Sequence, residues 1–195
     1  NKKGGATLGK ENVKGWSTVR YDIRLDVMSN EEYSAWIVEL FKQFDRVLKP
    51  NGVILWNANY GSMNTECMYL TVADIFRNTN FTMADDICWK KSSAIPNNVS
   101  ATQLTRIWEH VFVFCRRDEI KTFKTNKKVK SVSHFGQKFY ETYYNFIEAK
   151  NNDGTCPLNK CTYSSELCMK LLGIYAEEGM TVLDPFSGTG TTGLA

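Results

Sequence analysis

The fold is decided by one fifteen-residue stretch, Thr181-Val182-Leu183-Asp184-Pro185-Phe186-Ser187-Gly188-Thr189-Gly190-Thr191-Thr192-Gly193-Leu194-Ala195. The apolar run from Met180 to Leu183 is typical of a buried parallel strand, because parallel strands are covered on both faces. Pro185 cannot donate to a sheet ladder, and Gly188 and Gly190 allow a tight turn and the close approach of a ligand. The pattern predicts a buried strand that ends at Asp184 and opens into a ligand loop.

Two classes of cofactor compete for this loop. Gly188, Gly190 and Gly193 satisfy the dinucleotide-binding spacing G-x-G-x-x-G. A dinucleotide site needs its first glycine directly after the strand, whereas four residues from Asp184 to Ser187 intervene here. A carboxylate at the strand tip suits a ligand with an ammonium group and repels a diphosphate. A dinucleotide-binding Rossmann protein is therefore the weaker alternative.

The stretch from Asp184 to Thr192 resembles the S-adenosylmethionine loop of the amino-methyltransferases that modify adenine N6 or cytosine N4 in DNA, Asp-Pro-Phe-x-Gly-(Ser/Thr)-Gly-Thr-Thr. The resemblance implies an α/β, Rossmann-like methyltransferase fold, with a mostly parallel sheet and an antiparallel hairpin at one edge. It also implies that the cofactor contacts the whole loop, namely Asp184, Pro185, Phe186, Ser187, Gly188, Thr189, Gly190, Thr191 and Thr192.

Composition limits the class of protein. A chain of 195 residues with 43% hydrophobic residues is long enough for one domain with a sizeable core. No apolar stretch approaches the ~20 residues of a membrane span, and residues 1–5 show no secretory signal. We therefore expect a cytoplasmic protein. The six cysteines are scattered, which indicates reduced thiols rather than a disulfide framework or a metal site.

Positive charge is concentrated in one segment. The net charge of the chain is +3, but residues 116–150 hold nine basic and four acidic side chains. Such a local excess suits contact with phosphates, although a solvated loop would show it too. The candidate nucleic-acid contacts are Lys121, Lys124, Lys127, Lys128, Lys130 and Lys138.

Helical and strand patterns place these motifs. Ser29 and Glu32 form a capping box before an apolar helical face that continues to Leu48, and residues 53–56 then predict a buried strand. Residues 66–78 predict a helix, and residues 83–90 and 108–115 predict two strands, which form the antiparallel edge hairpin in the resembled fold. His110 and its neighbour Glu109 lie in the second strand, where we expect His110 to be structural.

Residues 116–160 interrupt the α/β pattern. Lysines alternate with aromatic residues between 135 and 146, a composition that suits contact with bases and phosphates. We expect at least half of these aromatic side chains to form a small satellite core instead. In the resembled family the target-recognition insert falls at this position. The resulting division of the one domain is 1–115 as the catalytic half, 116–160 as the insert and 161–195 as the cofactor half.

The cofactor half begins with a predicted helix, which Ser164 or Ser165 caps and which ends at Gly179. In the resembled family the stretch before this helix lines the methionine end of the cofactor. The resemblance therefore adds Thr162 and Ser164 to the candidate cofactor-binding residues. Cys156, Cys161 and Cys168 are spaced unevenly, which argues against a metal site.

The family's catalytic tetrad, Asp/Ser/Asn-Pro-Pro-Tyr, does not occur in residues 1–195. In the family it orients the amine of a base that is rotated out of the duplex, and we expect it just before Asn1. The strand that leads to it lies between the predicted strands at 180–184 and 53–56, and without it both strands would have open edges. We therefore expect a sequence that is incomplete at both ends, or one completed by a second chain or a second protomer.

The main hypothesis is an S-adenosylmethionine-dependent methyltransferase that acts on double-stranded DNA, with little catalysis by these residues alone. A non-catalytic DNA-binding or assembly fragment of such an enzyme is the alternative. The sequence does not distinguish an adenine target from a cytosine target.

Overall fold

The computed structural model describes residues 28–61, 64–94, 96–154 and 162–195. Residues 1–20, whose glycine- and lysine-rich composition without a period predicts a loop, lie outside these ranges, as do Cys156 and Cys161. Within them the elements are α1 (Asn30–Val47), β1 (Ile54–Ala58), α2 (Cys67–Asn78), β2 (Phe81–Lys91), β3 (Trp108–Arg116), β4 (Val129–Val132), β5 (Lys138–Tyr140), β6 (Phe146–Ala149), α3 (Ser165–Tyr175) and α4 (Thr191–Leu194). The predicted alternation of helices and strands, and with it the α/β class, is confirmed.

Helix α1 begins at the predicted capping box. The amide of Glu32 donates to Ser29 Oγ at 3.2 Å, and the amide of Ser29 donates to Glu32 Oε2 at 2.7 Å. Ile37 and Phe41 on its apolar face are buried. The helix therefore packs on the sheet with the face that its sequence predicts.

The main sheet has the strand order β1-β3-β2-β6. The antiparallel hairpin β2–β3 is confirmed, but it takes the two central positions because β6, which the sequence analysis did not identify, pairs with the outer side of β2. Of the three pairings, β2–β6 is parallel, and β1–β3 and β2–β3 are antiparallel. The described part of the sheet thus holds fewer parallel pairs than expected.

One predicted strand is absent from the described sheet, and this prediction was wrong. Residues 180–183 belong to no strand, and Val182 and Leu183 are 51% and 64% exposed rather than buried. No strand in the described ranges lies alongside this segment, so its backbone groups find no ladder. An apolar run predicts burial only when a neighbouring strand is present to receive it.

The sheet carries a hydrophobic core on each face. Helices α1 and α2 cover one face, where Phe41, Ile75 and Phe114 are fully buried or nearly so. Helix α3 covers the other face, where Leu167 packs with Trp89. Helices therefore lie on both faces of the sheet, which is the arrangement of an α/β domain.

Helix α3 starts at the predicted cap, Ser164, but ends at Tyr175 rather than at Gly179. Gly179 lies beyond the helix in the left-handed region, with a φ of 85°. None of the helices in the described ranges is long and apolar enough to cross a membrane.

The segment 116–160 contributes to two sheets. Strands β4 and β5 form a separate two-stranded hairpin, whereas β6 belongs to the main sheet. The expectation of a satellite core among the aromatic residues was wrong, because Phe135, Phe139, Tyr140, Tyr143, Tyr144 and Phe146 are all exposed. The boundaries 1–115, 116–160 and 161–195 stay a prediction.

Candidate cofactor site

The glycine-rich turn, residues 184–192, is closed by its first and last residues. The Thr192 hydroxyl donates to Asp184 Oδ2 at 2.5 Å, and the Phe186 amide donates to Asp184 Oδ1 at 2.9 Å. The carboxylate at position 184 therefore shapes the turn from within. Asp184 is half-buried, while Pro185, Phe186, Ser187, Gly188 and Thr189 are exposed.

The glycines of this turn adopt the conformations that the sequence analysis expected of them. Gly188 and Gly190 have φ values of 50° and 81°, in the left-handed region that favours glycine. The Gly190 amide donates to the Ser187 carbonyl at 2.6 Å. A Cβ built on Gly190 would meet no atom within 4 Å, so the backbone there faces open space. The turn thus offers bare, accessible main chain to a ligand.

The threonines after the glycines differ in exposure. Thr191 is buried, and its hydroxyl lies 3.5 Å from that of Thr189. Thr192 is half-buried and engaged with Asp184. Among the hydroxyl side chains of the turn, those of Ser187 and Thr189 are therefore exposed, whereas those of Thr191 and Thr192 are not.

Tyr163 belongs to the same cluster, although it is not among the cofactor-binding residues predicted from the sequence. Its hydroxyl shares a hydrogen bond with the Thr192 hydroxyl and lies 3.4 Å from Asp184 Oδ2. Burial raises the pKa of Tyr163; the hydrogen bond with Thr192 opposes this shift, and the charge of Asp184 adds to it. The hydroxyl therefore stays protonated and able to donate at neutral pH. The signal in the sequence was its position directly before the helix cap.

Ser164 serves the helix rather than an open surface. It is fully buried, accepts from the Leu167 amide at 3.3 Å and donates to the Lys150 carbonyl at 2.8 Å. The Ser164 hydroxyl thus donates one hydrogen bond and accepts another within the protein. A cofactor contact at this residue would therefore involve its backbone. Thr162 is half-buried. A cofactor role for either residue stays a prediction.

The glycine-rich turn also contacts the other layer of the fold. The ring of Phe186 meets that of Trp36 in α1 edge-on. The turn is therefore contacted both by Trp36 of α1 and by Tyr163, which precedes α3. Trp36 and Phe186 are 42% and 59% exposed, so their rings also form part of the accessible surface.

The six candidate lysines are all exposed, and none of them is in an ion pair with the described residues. Lys130 and Lys138 lie on β4 and β5, and Lys127 and Lys128 precede β4. The hairpin also exposes aromatic rings, with Phe135 94% exposed at its tip. This part of the described surface thus combines exposed lysines with exposed aromatic rings.

His110 lies within β3 and is held by hydrogen bonding and ring stacking, and its structural role stays a prediction. Its Nδ1 lies 3.0 Å from Asp86 Oδ1, and its ring stacks on Phe112 with centroids 4.7 Å apart. Its Nε2 is buried without a hydrogen-bond partner among the described residues. His134 is exposed and contacts the ring of Phe135.

Two pockets lie away from the glycine-rich turn. They have volumes of about 330 and 620 Å³ and share Tyr143, Tyr144 and Ile174 in their walls. Both lie against the C-terminal half of α3, and neither includes a residue of the turn. The described residues contain no group of three metal-ligating side chains, and the four described cysteines are unpaired.

Helices on both faces of a sheet, with an exposed glycine-rich turn at the start of α4, define a Rossmann-like α/β protein. A sequence profile of the family described as DNA methylase matches residues 14–195. The chain belongs to this family.

Two curated relatives have similar sequences. The type II methyltransferase M.MthZI of Methanothermobacter thermautotrophicus is 24% identical over 179 residues, which cover 80% of this chain and 50% of that protein. The type II methyltransferase M.MjaI of Methanocaldococcus jannaschii is 22% identical over 184 residues, which cover 86% of this chain and 59% of that protein. The chain therefore spans between half and three fifths of the length of these relatives.

Solved structures show the same fold. The cytosine-N4-specific PvuII DNA methyltransferase aligns with a TM-score of 0.64 and 17% identity, over 91% of this chain and 65% of that one. The M1.HpyAVI–SAM complex aligns with a TM-score of 0.53 and 23% identity, over 86% of this chain and 71% of that one. The predicted methyltransferase fold is thereby confirmed.

Proposed function

We propose that this protein binds S-adenosylmethionine at the glycine-rich turn and serves in the transfer of its methyl group to the exocyclic amine of adenine (N6) or cytosine (N4) in DNA. The observation that carries the proposal is the closed turn itself. Asp184 accepts from Phe186 and Thr192, while Gly188 is exposed and the main chain at Gly190 faces open space.

The arrangement suits this cofactor in three respects. The turn presents backbone amides and hydroxyls, which hydrogen-bond a carboxylate, and the half-buried carboxylate of Asp184 supplies a negative potential that attracts a sulfonium or an ammonium group. Phe186 and Trp36 supply apolar surface for an adenine ring. Bound S-adenosylmethionine supplies an electrophilic methyl group. The residues of this chain would align the cofactor with the target amine, and such alignment by itself can lower the activation barrier by several kcal/mol.

The proposed contacts are those of the turn, from Asp184 to Thr192, with weaker support for Thr162 and Ser164. A dinucleotide is the competing ligand, since Gly188, Gly190 and Gly193 fit its spacing. The half-buried carboxylate of Asp184 opposes a diphosphate at this turn. The two ligands therefore give opposite results in one experiment.

Isothermal titration calorimetry tests the proposal directly. S-adenosylmethionine should bind to residues 1–195 with saturable heat and one site, and Asp184→Asn should weaken binding because it alters the turn's closure. Asp118→Asn, at an exposed position on another surface, is the matched control. Saturable binding of a nicotinamide dinucleotide without binding of S-adenosylmethionine would overturn the proposal.

The target base is tested with duplex DNA. Mass spectrometry of nucleosides from DNA incubated with protein and S-adenosylmethionine distinguishes N6-methyladenine from N4-methylcytosine. No Asp/Ser/Asn-Pro-Pro-Tyr occurs in residues 1–195. The side chains of this chain therefore support cofactor binding and DNA contact more directly than they support orientation of the target amine.

A DNA-binding or assembly role is the second candidate function. The exposed lysines at positions 121, 124, 127, 128, 130 and 138 and the exposed rings of the β4–β5 hairpin favour it. Double-stranded DNA is the partner that this surface suits, through its phosphates. Duplex binding without any binding of S-adenosylmethionine would support this function over the first.

We further propose that a second chain or a second copy of this chain completes the sheet. Among the described residues, β1 pairs only with β3, so its other edge is open. The apolar side chains of Val182 and Leu183, just before the glycine-rich turn, are also exposed. A strand added to an open edge would pair those backbone groups. Sedimentation equilibrium tests the homodimer, and a monomer at all concentrations would leave only the second chain.

A further inference from the structure

We infer that the Tyr163 hydroxyl is a positioning group for the glycine-rich turn, and that Asp184 acts through this group and Thr192 rather than as a direct ligand of the cofactor's ammonium. The inference rests on the proposed binding of S-adenosylmethionine. It changes the role of Asp184 from the contact that the sequence suggests to the shaping of the turn.

The acceptor sites of Asp184 are largely used by the protein itself. Its Oδ1 accepts from the Phe186 amide at 2.9 Å. Its Oδ2 accepts from the Thr192 hydroxyl at 2.5 Å and lies 3.4 Å from the Tyr163 hydroxyl. A carboxylate offers about four acceptor positions. The Phe186 amide and the Thr192 hydroxyl therefore use one position on each oxygen, and the Tyr163 hydroxyl lies beside a third, so the protein itself surrounds most of the carboxylate.

Tyr163 reaches this carboxylate from a well-anchored position. The next residue, Ser164, is the buried cap of α3, fixed to Leu167 and to Lys150. The Tyr163 ring packs against the hydrophobic core between α3 and the sheet. The hydroxyl is thus presented from the core to the two residues that close the turn.

The three hydroxyl and carboxylate groups form a chain of hydrogen bonds. The Tyr163 hydroxyl bonds to that of Thr192, which donates to Asp184. Hydrogen bonds in such a chain strengthen one another, so loss of one should weaken the rest. The geometry of Gly188 and Gly190, which lie between Asp184 and Thr192, should therefore depend on Tyr163.

Tyr163→Phe is the test variant, because it removes one oxygen and keeps the packed ring. Its affinity for S-adenosylmethionine should fall roughly fivefold to tenfold, the loss expected for one hydrogen bond, while the melting temperature changes little. Tyr175→Phe, at the other end of α3, should bind as wild type. Wild-type affinity in Tyr163→Phe would overturn the inference.

A double-mutant cycle separates positioning from simple destabilisation. Thr192→Val should lower affinity, Thr192→Ser should restore it, and Tyr163→Phe should add little further loss in the Thr192→Val background. Fully additive losses in affinity would contradict the hydrogen-bonded chain, because uncoupled residues add.

The role of Asp184 is tested with two ligands, S-adenosylhomocysteine and its deaminated analogue. Asp184→Asn should weaken both by the same factor if the carboxylate shapes the turn. A loss confined to the ligand with the amino group would show a direct contact and overturn that part of the inference.

Failure of the proposed function gives a separate result. If wild type binds no S-adenosylmethionine, that function is wrong, and amide hydrogen exchange in the ligand-free protein then decides the role of Tyr163. Faster exchange at residues 186–192 in Tyr163→Phe than in Tyr175→Phe supports positioning, and equal exchange overturns it.

Discussion

The ring of Trp36 meets the ring of Phe186 edge-on, with centroids 5.8 Å apart and planes inclined by 70°. Trp36 lies in α1 and also contacts Tyr33, whereas Phe186 belongs to the glycine-rich turn. An edge-on aromatic pair contributes about 0.5–1.5 kcal/mol beyond the burial of its area. The contact therefore helps to fix the orientation of Phe186 before a ligand arrives.

Trp36→Ala should weaken the binding of S-adenosylmethionine by about twofold to tenfold, the factor that corresponds to an aromatic pair. The reason is loss of the surface that orients Phe186, and titration calorimetry measures it. Tyr144→Ala removes a 75% exposed ring elsewhere and serves as the control. Equal dissociation constants in Trp36→Ala and wild type would show that the contact has no part in binding.

The guanidinium of Arg116 binds the C-terminal end of α1, and its removal should destabilise the fold. Its Nε donates to Asp45 Oδ1 at 2.6 Å, and its Nη2 donates to the Leu48 carbonyl at 2.7 Å. The side chain is 14% exposed. Arg116→Ala should lower the free energy of unfolding by about 2 kcal/mol, because half-buried acceptors lose a charged donor.

Urea denaturation measures this loss. The control is Arg77→Ala, whose ion pair with Asp74 is 3.5 Å long and whose side chain is 71% exposed. It should change stability by less than about 1 kcal/mol, as exposed pairs do. Similar midpoints for the two variants would contradict the assigned role of Arg116.

The local patterns of the sequence predicted most of the elements, because each contained its own signal. Ser29 and Glu32 satisfy each other's amides in a capping box, and Ser164 caps α3. The glycine-rich turn was predictable because Gly188 and Gly190 are required by left-handed backbone. Such features depend on residues close together in the chain.

Features that depend on distant partners were not predictable. The segment 180–183 has the composition of a buried strand, but burial requires a neighbouring strand that the described residues do not provide. Strand β6 was missed because its partner is β2, far away in the sequence. Tyr163 was missed for the same reason, since its contacts are to Asp184 and Thr192.

Asn126 connects the segment before β4 to the end of α3, and its replacement should loosen both. Its backbone amide donates to the Ile174 carbonyl at 2.7 Å. Its side-chain Nδ2 donates to the carbonyls of Gly173, at 3.0 Å, and of Ala176. Unpaired carbonyls at a helix end need such donors. Asn126→Ala should lower the free energy of unfolding by about 1–2 kcal/mol.

Hydrogen exchange locates the effect of this change. Amides of α3 should exchange faster in Asn126→Ala, with the largest increase in the last turn. Thr122→Ala loses one long bond, 3.4 Å to the Glu119 carbonyl, and is the control. Equal protection of α3 in the two variants would show that Asn126 does not hold the helix end.

Deprotonation of Tyr175 should destabilise the folded protein at high pH. Burial, followed by the charge of Asp85, raises the pKa of Tyr175 from 10.0 to about 12. The folded state thus holds this proton more tightly than the unfolded state. The stability that it contributes is fully present below pH 10.0 and is lost as the pH rises to about 12.

Urea midpoints measured across this pH window check the sign. Wild type should lose more stability than Tyr175→Phe as the pH rises, because phenylalanine has no proton to lose. Tyr144→Phe, at a 75% exposed position, should follow wild type. Parallel curves for wild type and Tyr175→Phe would show that Tyr175 titrates normally.

The lysines before and on β4 should determine how the protein responds to salt when it binds DNA. Combined Lys127→Glu, Lys128→Glu and Lys130→Glu substitutions should lower duplex affinity on the order of tenfold to a hundredfold, and reduce the salt slope by about 0.9 for each phosphate that is no longer neutralised. A control with the same change in charge combines Lys42→Glu, Lys49→Glu and Arg77→Glu at exposed positions. Fluorescence anisotropy at several salt concentrations separates the two variants. If the two triple variants lose the same affinity for DNA, only net charge matters, and these three lysines are not part of a DNA-binding surface.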